Sequence, residues 1–184
     1  MSKPQPEWNI TTLKEYLLKQ EWEVADQITL SILLGSIEEG SKGYLTPNCV
    51  SRLSCDLIYD LDYHWVTASQ GLFGFSRQKE IYDFSYLEVH KFFQTVDWLF
   101  FNFKPLAFHK FYDFLNFSLE APKGHLPALW YWQTSLAESW LKGGFGTGRG
   151  GSFADHSLLD AMMLRLSRCS IKATKRTPSE VSLQ

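Results

Sequence analysis

Five histidines, three cysteines, a pair of close aspartates and a glycine-rich stretch are the residues through which this 184-residue chain could do chemistry. The histidines stand at 64, 90, 109, 125 and 156. None is spaced as H-x-x-x-H or H-E-x-x-H, so a zinc hydrolase has no support and no metal ligands are assigned. No G-x-S-x-G elbow occurs. Asp60 and Asp62 are two apart, which puts them on different faces of a helix and disfavours a shared acid–base role. Gly146, Gly148 and Gly151 satisfy G-x-G-x-x-G, but a helical pattern precedes them where a dinucleotide loop needs a strand, so the stretch reads as a linker. Cys49, Cys55 and Cys169 are odd in number and lack a C-x-x-C spacing, and their plainest reading is reduced thiols in an intracellular compartment. Neither a nucleophile–base pair nor a metal set is signalled, and the chain reads as a protein that is not an enzyme.

The informative chemistry is aromatic. Fourteen Phe, eight Tyr and seven Trp make up 16% of the chain. Eleven aromatics fall between Phe92 and Phe117, interrupted by Pro105 and keeping neither strict alternation nor a 3.6-residue period. Two readings stand side by side. The rings fill a core, or they form a loop folded over a large flat apolar ligand, with Lys104, His109 and Lys110 near enough in sequence to meet ligand carboxylates. Stacking of single-stranded bases lacks the positive groove it requires, and a net charge of −2 steers nothing toward nucleic acid.

The elements that must position these residues read as helices. Thr12 and Glu15 make a capping-box pattern opening "TTLKEYLLKQ". "EWEVADQITLSILLGS" follows with Gly35 able to close it. "SCDLIYDLDYHWVTAS" carries Leu57, Ile58, Leu61, Trp65 and Ala68 on one stripe, with His64 beside it as a buried histidine bonded to a backbone carbonyl. Ser76 can cap "RQKEIYDFSYLEV", and "PALWYWQTSLAESWLK" looks like one more helix. "APKGHLPALW" bends sharply at Pro122, Gly124 and Pro127, and His125 suits a strut bonded to backbone across that turn better than a metal ligand.

The ends differ from the centre. Residues 1–9 are polar and proline-bearing, a disordered lead-in. Residues 10–142 form the core domain, and 143–184 a Gly-rich linker and basic tail. In the tail, Arg165, Arg168, Lys172, Lys175 and Arg176 accompany an apolar face of Leu158, Leu159, Met162, Met163 and Leu166. Such a segment suits weak contact with a membrane or partner, or a loose extension. No uncharged run reaches the ~18 residues that cross a bilayer, and no signal peptide is visible.

"LLKQEWEVADQIT", "SCDLIYDLDYHWVTASQGLFGFSRQKEIY", "VDW" and "FSLEAPKGHLP", in that order, resemble the Genomes Uncoupled Four (GUN-four) tetrapyrrole-binding domain over residues 13 to about 141. The strings from Ser69 to Gln78 and from Ala121 to Pro127 carry most of the resemblance. It implies an all-α fold, a single compact helical domain with a long aromatic pocket loop. It also implies a non-catalytic accessory role: binding protoporphyrin IX or Mg-protoporphyrin IX and stimulating magnesium chelatase in chlorophyll synthesis. The partner implied is the porphyrin-binding chelatase subunit, and the setting a photosynthetic cytoplasm or plastid stroma.

Residue by residue, the resemblance places Phe108, Lys110 and Phe111 at the pocket loop's Trp, Arg and Trp. Phe101 and Phe103 come from the same loop, Trp98 matches the Trp of the family's G-W, and Phe73 matches the family string. Pro122, Gly124, His125 and Pro127 make the turn that closes the loop. Asp97 stands where Gly is usual, Arg77 where Val is, and His64 where Leu is. "ALWYWQTSL" after His-Leu-Pro carries no cation where arginines are usual. Those departures keep a second expectation open, an interaction module that has kept the fold and lost or changed its ligand.

Overall fold

The structure is a computed structural model. It describes residues 9–37, 42–85, 88–103, 106–141, 149–151, 153 and 156–170, without the side chains at 102, 103, 106, 107, 136, 138 and 139. Helix α1 (Ile10–Leu18) is capped by Asn9, whose Oδ1 accepts from the Thr12 amide at 3.0 Å. Thr12 is therefore inside the helix and not its cap, because Asn9 already satisfies an exposed first-turn donor. Helix α2 (Trp22–Gly35) packs on α1 and buries Trp22, Ala25, Ile28 and Leu33, with Trp22 against Trp65 and Phe73. A short α3 (Pro47–Arg52) starts on Thr46 with proline in its first turn. In α4 (Cys55–Ala68), Ile58, Leu61 and Trp65 make the buried stripe, while Leu57 and Ala68 are half-buried.

Phe75 opens α5 (Phe75–Phe84), so Ser76 lies inside the helix and Gly74 at its cap. The Ser76 amide is satisfied by Asp62 Oδ1 at 2.8 Å, an acceptor brought over from α4. His64 is half-buried, and its Nε2 lies 3.2 Å from Asp60 Oδ1, a carboxylate one turn back in place of the expected carbonyl. Helix α6 (Val89–Thr95) takes the first part of the aromatic run, and Phe92 and Phe93 point into the core. The rest of the expected pocket loop is ordered as an antiparallel hairpin, β1 (Leu99–Phe103) and β2 (Leu106–His109), followed by a 3-10 turn at Tyr112–Phe114. The expected helix after Pro127 is two short ones, α7 (Leu129–Trp132) and α8 (Leu136–Leu141), separated at Gln133, which adopts extended backbone. The fold is thus a mostly helical single domain with a small two-stranded sheet.

Helix α9 (His156–Arg168) packs on α3 and α5. Leu158, Leu159, Met162, Met163 and Leu166 are all buried, so the apolar face that suited a membrane or partner is used within the chain. Arg165 donates through Nε to the Leu53 carbonyl at 2.8 Å, and the Tyr82 hydroxyl donates to Asp160 Oδ1 at 2.8 Å. Lys172, Lys175 and Arg176 lie outside the described residues. Cys55 and Cys169 form a disulfide between the start of α4 and the end of α9, while Cys49 is buried outside that bond. This corrects the reading of three reduced thiols: two residues 114 apart in sequence are adjacent only once α9 has folded back, which spacing alone does not reveal. Among the described residues no helix is long and apolar enough to cross a membrane.

Candidate functional site

The hairpin projects from α6. In its register Phe101 stands opposite Phe108, Asn102 opposite Ala107 and Phe103 opposite Leu106, after an irregularity between Leu99 and Phe101. Directly opposed residues on adjacent strands point to one face of a sheet, and the rings of Phe101 and Phe108 are 6.5 Å apart. Phe101 is 48% exposed and Phe100 52%, while Phe108 is half-buried. Phe103 ends β1, its side chain outside the described set, and Lys104 lies outside the described residues.

Lys110 leaves β2 with its Nζ 2.6 Å from Asp97 Oδ1. Asp97 itself sits at φ +58°, a left-handed conformation that glycine takes without strain. The aspartate in this turn therefore accepts an unfavourable backbone and supplies the cation's counter-charge. Phe111 turns away from Phe108; its described ring neighbour is Phe114 at 5.7 Å. Trp98 and Phe73 are fully buried. Trp98 lies edge-on to Trp132 at 4.5 Å and stacks on Tyr131, and Phe73 packs edge-on to Trp22. The structure thus brings Phe101 and Phe108 together on a surface and sets Lys110 at its base. Trp98 and Phe73 lie in the interior behind.

The turn at 121–127 braces this arrangement. His125 is fully buried, with Nδ1 2.6 Å from the Val96 carbonyl and Nε2 accepting from the Asn116 amide at 3.2 Å. A carbonyl can only accept and an amide N–H can only donate, so the network assigns a neutral ring protonated on Nδ1. Burial, the larger influence, pushes its pKa below the ordinary histidine value, in keeping with that neutral form. Neither nitrogen is left for a metal. The His125 carbonyl accepts from Trp98 Nε1 at 2.9 Å, so the turn also holds the indole at the hairpin's root. Gly124 takes φ +75°, and a Cβ there would lie 2.7 Å from Ile81 Cδ1, so glycine answers both a backbone and a space requirement. Gln78 Nε2 donates to the Gly124 and Pro127 carbonyls at 3.1 and 2.7 Å, tying the turn to α5. Pro122 starts the turn, its carbonyl accepting from the His125 amide at 3.1 Å, and the Leu126–Pro127 bond is cis.

Three features lay beyond sequence reasoning. Asp26 is a fully buried carboxylate accepting from the Ala128 and Leu129 amides at 3.0 Å and from the Tyr112 hydroxyl at 3.1 Å. Burial dominates and pushes its pKa up to about 7. The available signal was an acid set between Ala25 and Ile28 in an otherwise apolar helix face. The second is the Asp97–Lys110 pair, two residues from separate elements. The third is the return of residues 149–151 and 153 beside the hairpin, described below. A separate cleft of about 360 Å³ between α5 and α6, lined by Ile81, Phe84, Lys91 and Lys123 among others, contains none of the residues singled out from the sequence. Among the described residues there is no group of three or more side chains able to hold a metal.

Fold and site together define a helical domain that presents an aromatic hairpin braced from behind by a buried turn, a surface suited to binding. The family model described as GUN4-like matches residues 4–142, and the chain belongs to that family. Solved structures share the fold. The ligand-free structure of Arabidopsis thaliana GUN4 is 24% identical with a TM-score of 0.60, covering 84% of this chain and 93% of that one. The structure of GUN4 from Chlamydomonas reinhardtii is 22% identical with a TM-score of 0.62, covering 89% and 92%. No curated protein matches the sequence.

Proposed function

We propose that this chain is a non-catalytic tetrapyrrole-binding accessory protein, taking protoporphyrin IX or Mg-protoporphyrin IX on its aromatic hairpin and acting as a regulator of magnesium chelatase. The observation that carries the reading is the exposure of Phe100 and Phe101 beside Phe108 in a member of the GUN4-like family. Exposed rings gain little from folding, and a contiguous exposed apolar patch favours a ligand or partner. A porphyrin is a broad apolar disc with carboxylates at one edge, so rings against its face and Lys110 toward an edge carboxylate suit it. Because both His125 nitrogens are engaged with backbone, the reading assigns the macrocycle to apolar contact and leaves a bound magnesium without a ligand from that histidine.

Titration with protoporphyrin and the more soluble deuteroporphyrin tests this, following tryptophan fluorescence. Trp132, whose Nε1 donates to the Lys110 carbonyl at 2.9 Å, is a built-in reporter next to the site. Saturable quenching at micromolar ligand or below is expected, and the Phe101→Ala, Phe108→Ala double variant should lose most of it. Stimulation of magnesium chelatase by the saturated protein is the second stage. A competing reading, an interaction module without the ligand, draws on the Asp97–Lys110 pair, in which the cation already has a carboxylate. Absence of saturable quenching with either porphyrin would decide for it.

A further inference from the structure

Residues 149–151 and 153 lie outside the stretch matched by the family model, which ends at 142, yet they run along the candidate site. Gly150 is bridged to Phe111 and Phe153 to Phe108, both antiparallel. The two pairs are in one register, since a step of three along one strand is a step of three back along the other. Gly150 and Gly151 take left-handed backbone, at φ +87° and +61°, so residues 149–151 and 153 are a strap bridged at two points to β2 and its continuation, not a regular strand. Arg149 fastens its start: its backbone pairs with Gln133, its carbonyl accepts from the Tyr112 amide at 3.0 Å, and its guanidinium lies 4.6 Å over the Tyr112 ring and 3.4 Å from Asp113. The Gly151 amide donates to the Lys110 carbonyl at 3.2 Å. Close approach fixes the residue type. A Cβ at 150 would meet Trp132 Nε1 at 2.4 Å, and one at 151 would meet the Phe111 ring at 2.2 Å. Later in the chain, α9 packs on α3 and α5 and its end is tied to the start of α4 by the Cys55–Cys169 disulfide.

Register then decides where Phe153 points. Phe101 opposes Phe108 on one side, and Phe153 opposes Phe108 on the other. Residues directly opposed across strands share a face, so the three rings form one row. Phe108 and Phe153 meet edge to face at 5.4 Å, and Phe153 keeps 43% of its surface exposed, close to the 48% of Phe101.

We infer that Phe153 is a ligand-binding residue, the third ring of the surface formed by Phe101 and Phe108, and that the C-terminal strap completes the tetrapyrrole site. This rests on the ligand reading above. The full-length chain is titrated with deuteroporphyrin as wild type, Phe153→Ala, Phe153→Leu, Phe108→Ala and Leu164→Ala. Leu164→Ala removes an exposed apolar side chain from α9, away from the strap. Circular dichroism and the urea midpoint of each variant control for folding. Loss of one aromatic contact should weaken Phe153→Ala about tenfold, with Phe153→Leu between it and wild type and Leu164→Ala unchanged. Binding by Phe153→Ala within twofold of wild type, while Phe108→Ala is impaired, overturns the inference and leaves the ligand reading standing. Tighter binding by Phe153→Ala overturns it too, because the strap would then be a cover. Failure of the wild type to bind withdraws the ligand reading and this inference together.

Discussion

The aromatic run divides into two populations with different partners. Phe92, Phe93, Trp98 and Tyr112 are fully buried, and the two with polar groups use them: Trp98 Nε1 on the His125 carbonyl, the Tyr112 hydroxyl on Asp26. Phe100, Phe101 and Phe114 are each about half exposed or more. Aromatic side chains with a polar handle can be locked at both ends in an interior, whereas an exposed phenylalanine has only its ring to offer. The contrast teaches that one stretch of chain carries two kinds of ring, Phe92, Phe93, Trp98 and Tyr112 packed in the interior and Phe100, Phe101 and Phe114 interleaved with them on the surface.

The sharpest way to break this division is to truncate one ring from each side. Trp98→Ala removes a buried indole and leaves the His125 carbonyl without its donor, and should cost about 4 kcal/mol of stability. Phe101→Ala should stay within about 0.5 kcal/mol. Urea denaturation measures both. If Phe101→Ala matched Trp98→Ala, the hairpin face would be core and the division would fail.

The clasp at the other end of the molecule should come next. Breaking the Cys55–Cys169 bond, by Cys55→Ser or by a dithiol reductant, releases a loop with a sequence separation of 114 and should cost about 3 kcal/mol. Urea midpoints with and without reductant give the value. Because Phe153 precedes α9 in the chain and the bond ties the end of α9 to α4, the same change should also weaken porphyrin binding.

What was legible in the sequence follows from which interactions are local. Helical stripes such as Ile58, Leu61 and Trp65 are written in adjacent turns, and they lie buried in the structure. The odd composition of residues 121–127 marked a turn for the same reason, through proline and glycine. The cap of α1 lies three residues before the Thr12 that the capping-box pattern indicates, because Asn9 and Thr12 both carry suitable oxygens and only geometry separates them. The hairpin was hidden because phenylalanine on both faces of β1 erases the alternation that signals a strand. The disulfide, the Asp97–Lys110 pair and the bridged strap join residues that local patterns do not link, and no spacing rule reaches them.

Two buried titratable groups at the root of the site should leave opposite marks on stability. His125 has a lowered pKa in the fold, so as pH falls through the ordinary value of 6.5 the unfolded chain takes up the proton first. Stability is then lost on acidification below about 6.5, the ordinary value for a histidine in an unfolded chain. Asp26 has a raised pKa, near 7, so its contribution is full below 3.8 and is lost as pH rises toward 7. His125→Gln should remove the first slope and cost about 2 kcal/mol at pH 7, through an imperfect replacement for the two backbone contacts. Asp26→Asn should remove the second. Urea midpoints from pH 4 to 8 would separate the two, and a wild-type slope unchanged in both variants would assign the pH dependence elsewhere.

The smallest stability effect should accompany an informative change in binding. In Asp97→Gly, relief of a left-handed backbone at φ +58° is worth about 1 kcal/mol. Loss of the half-exposed ion pair to Lys110 costs about 0.5 kcal/mol. The two nearly cancel, and the urea midpoint should barely move. Lys110 then has no internal carboxylate to leave before it meets one on a ligand, so deuteroporphyrin affinity should rise a few-fold, and that of its dimethyl ester should not. An equal rise for both would place the effect in backbone relaxation. No rise for either would remove Lys110 from the site and leave the rings of the hairpin and the strap to hold the ligand alone.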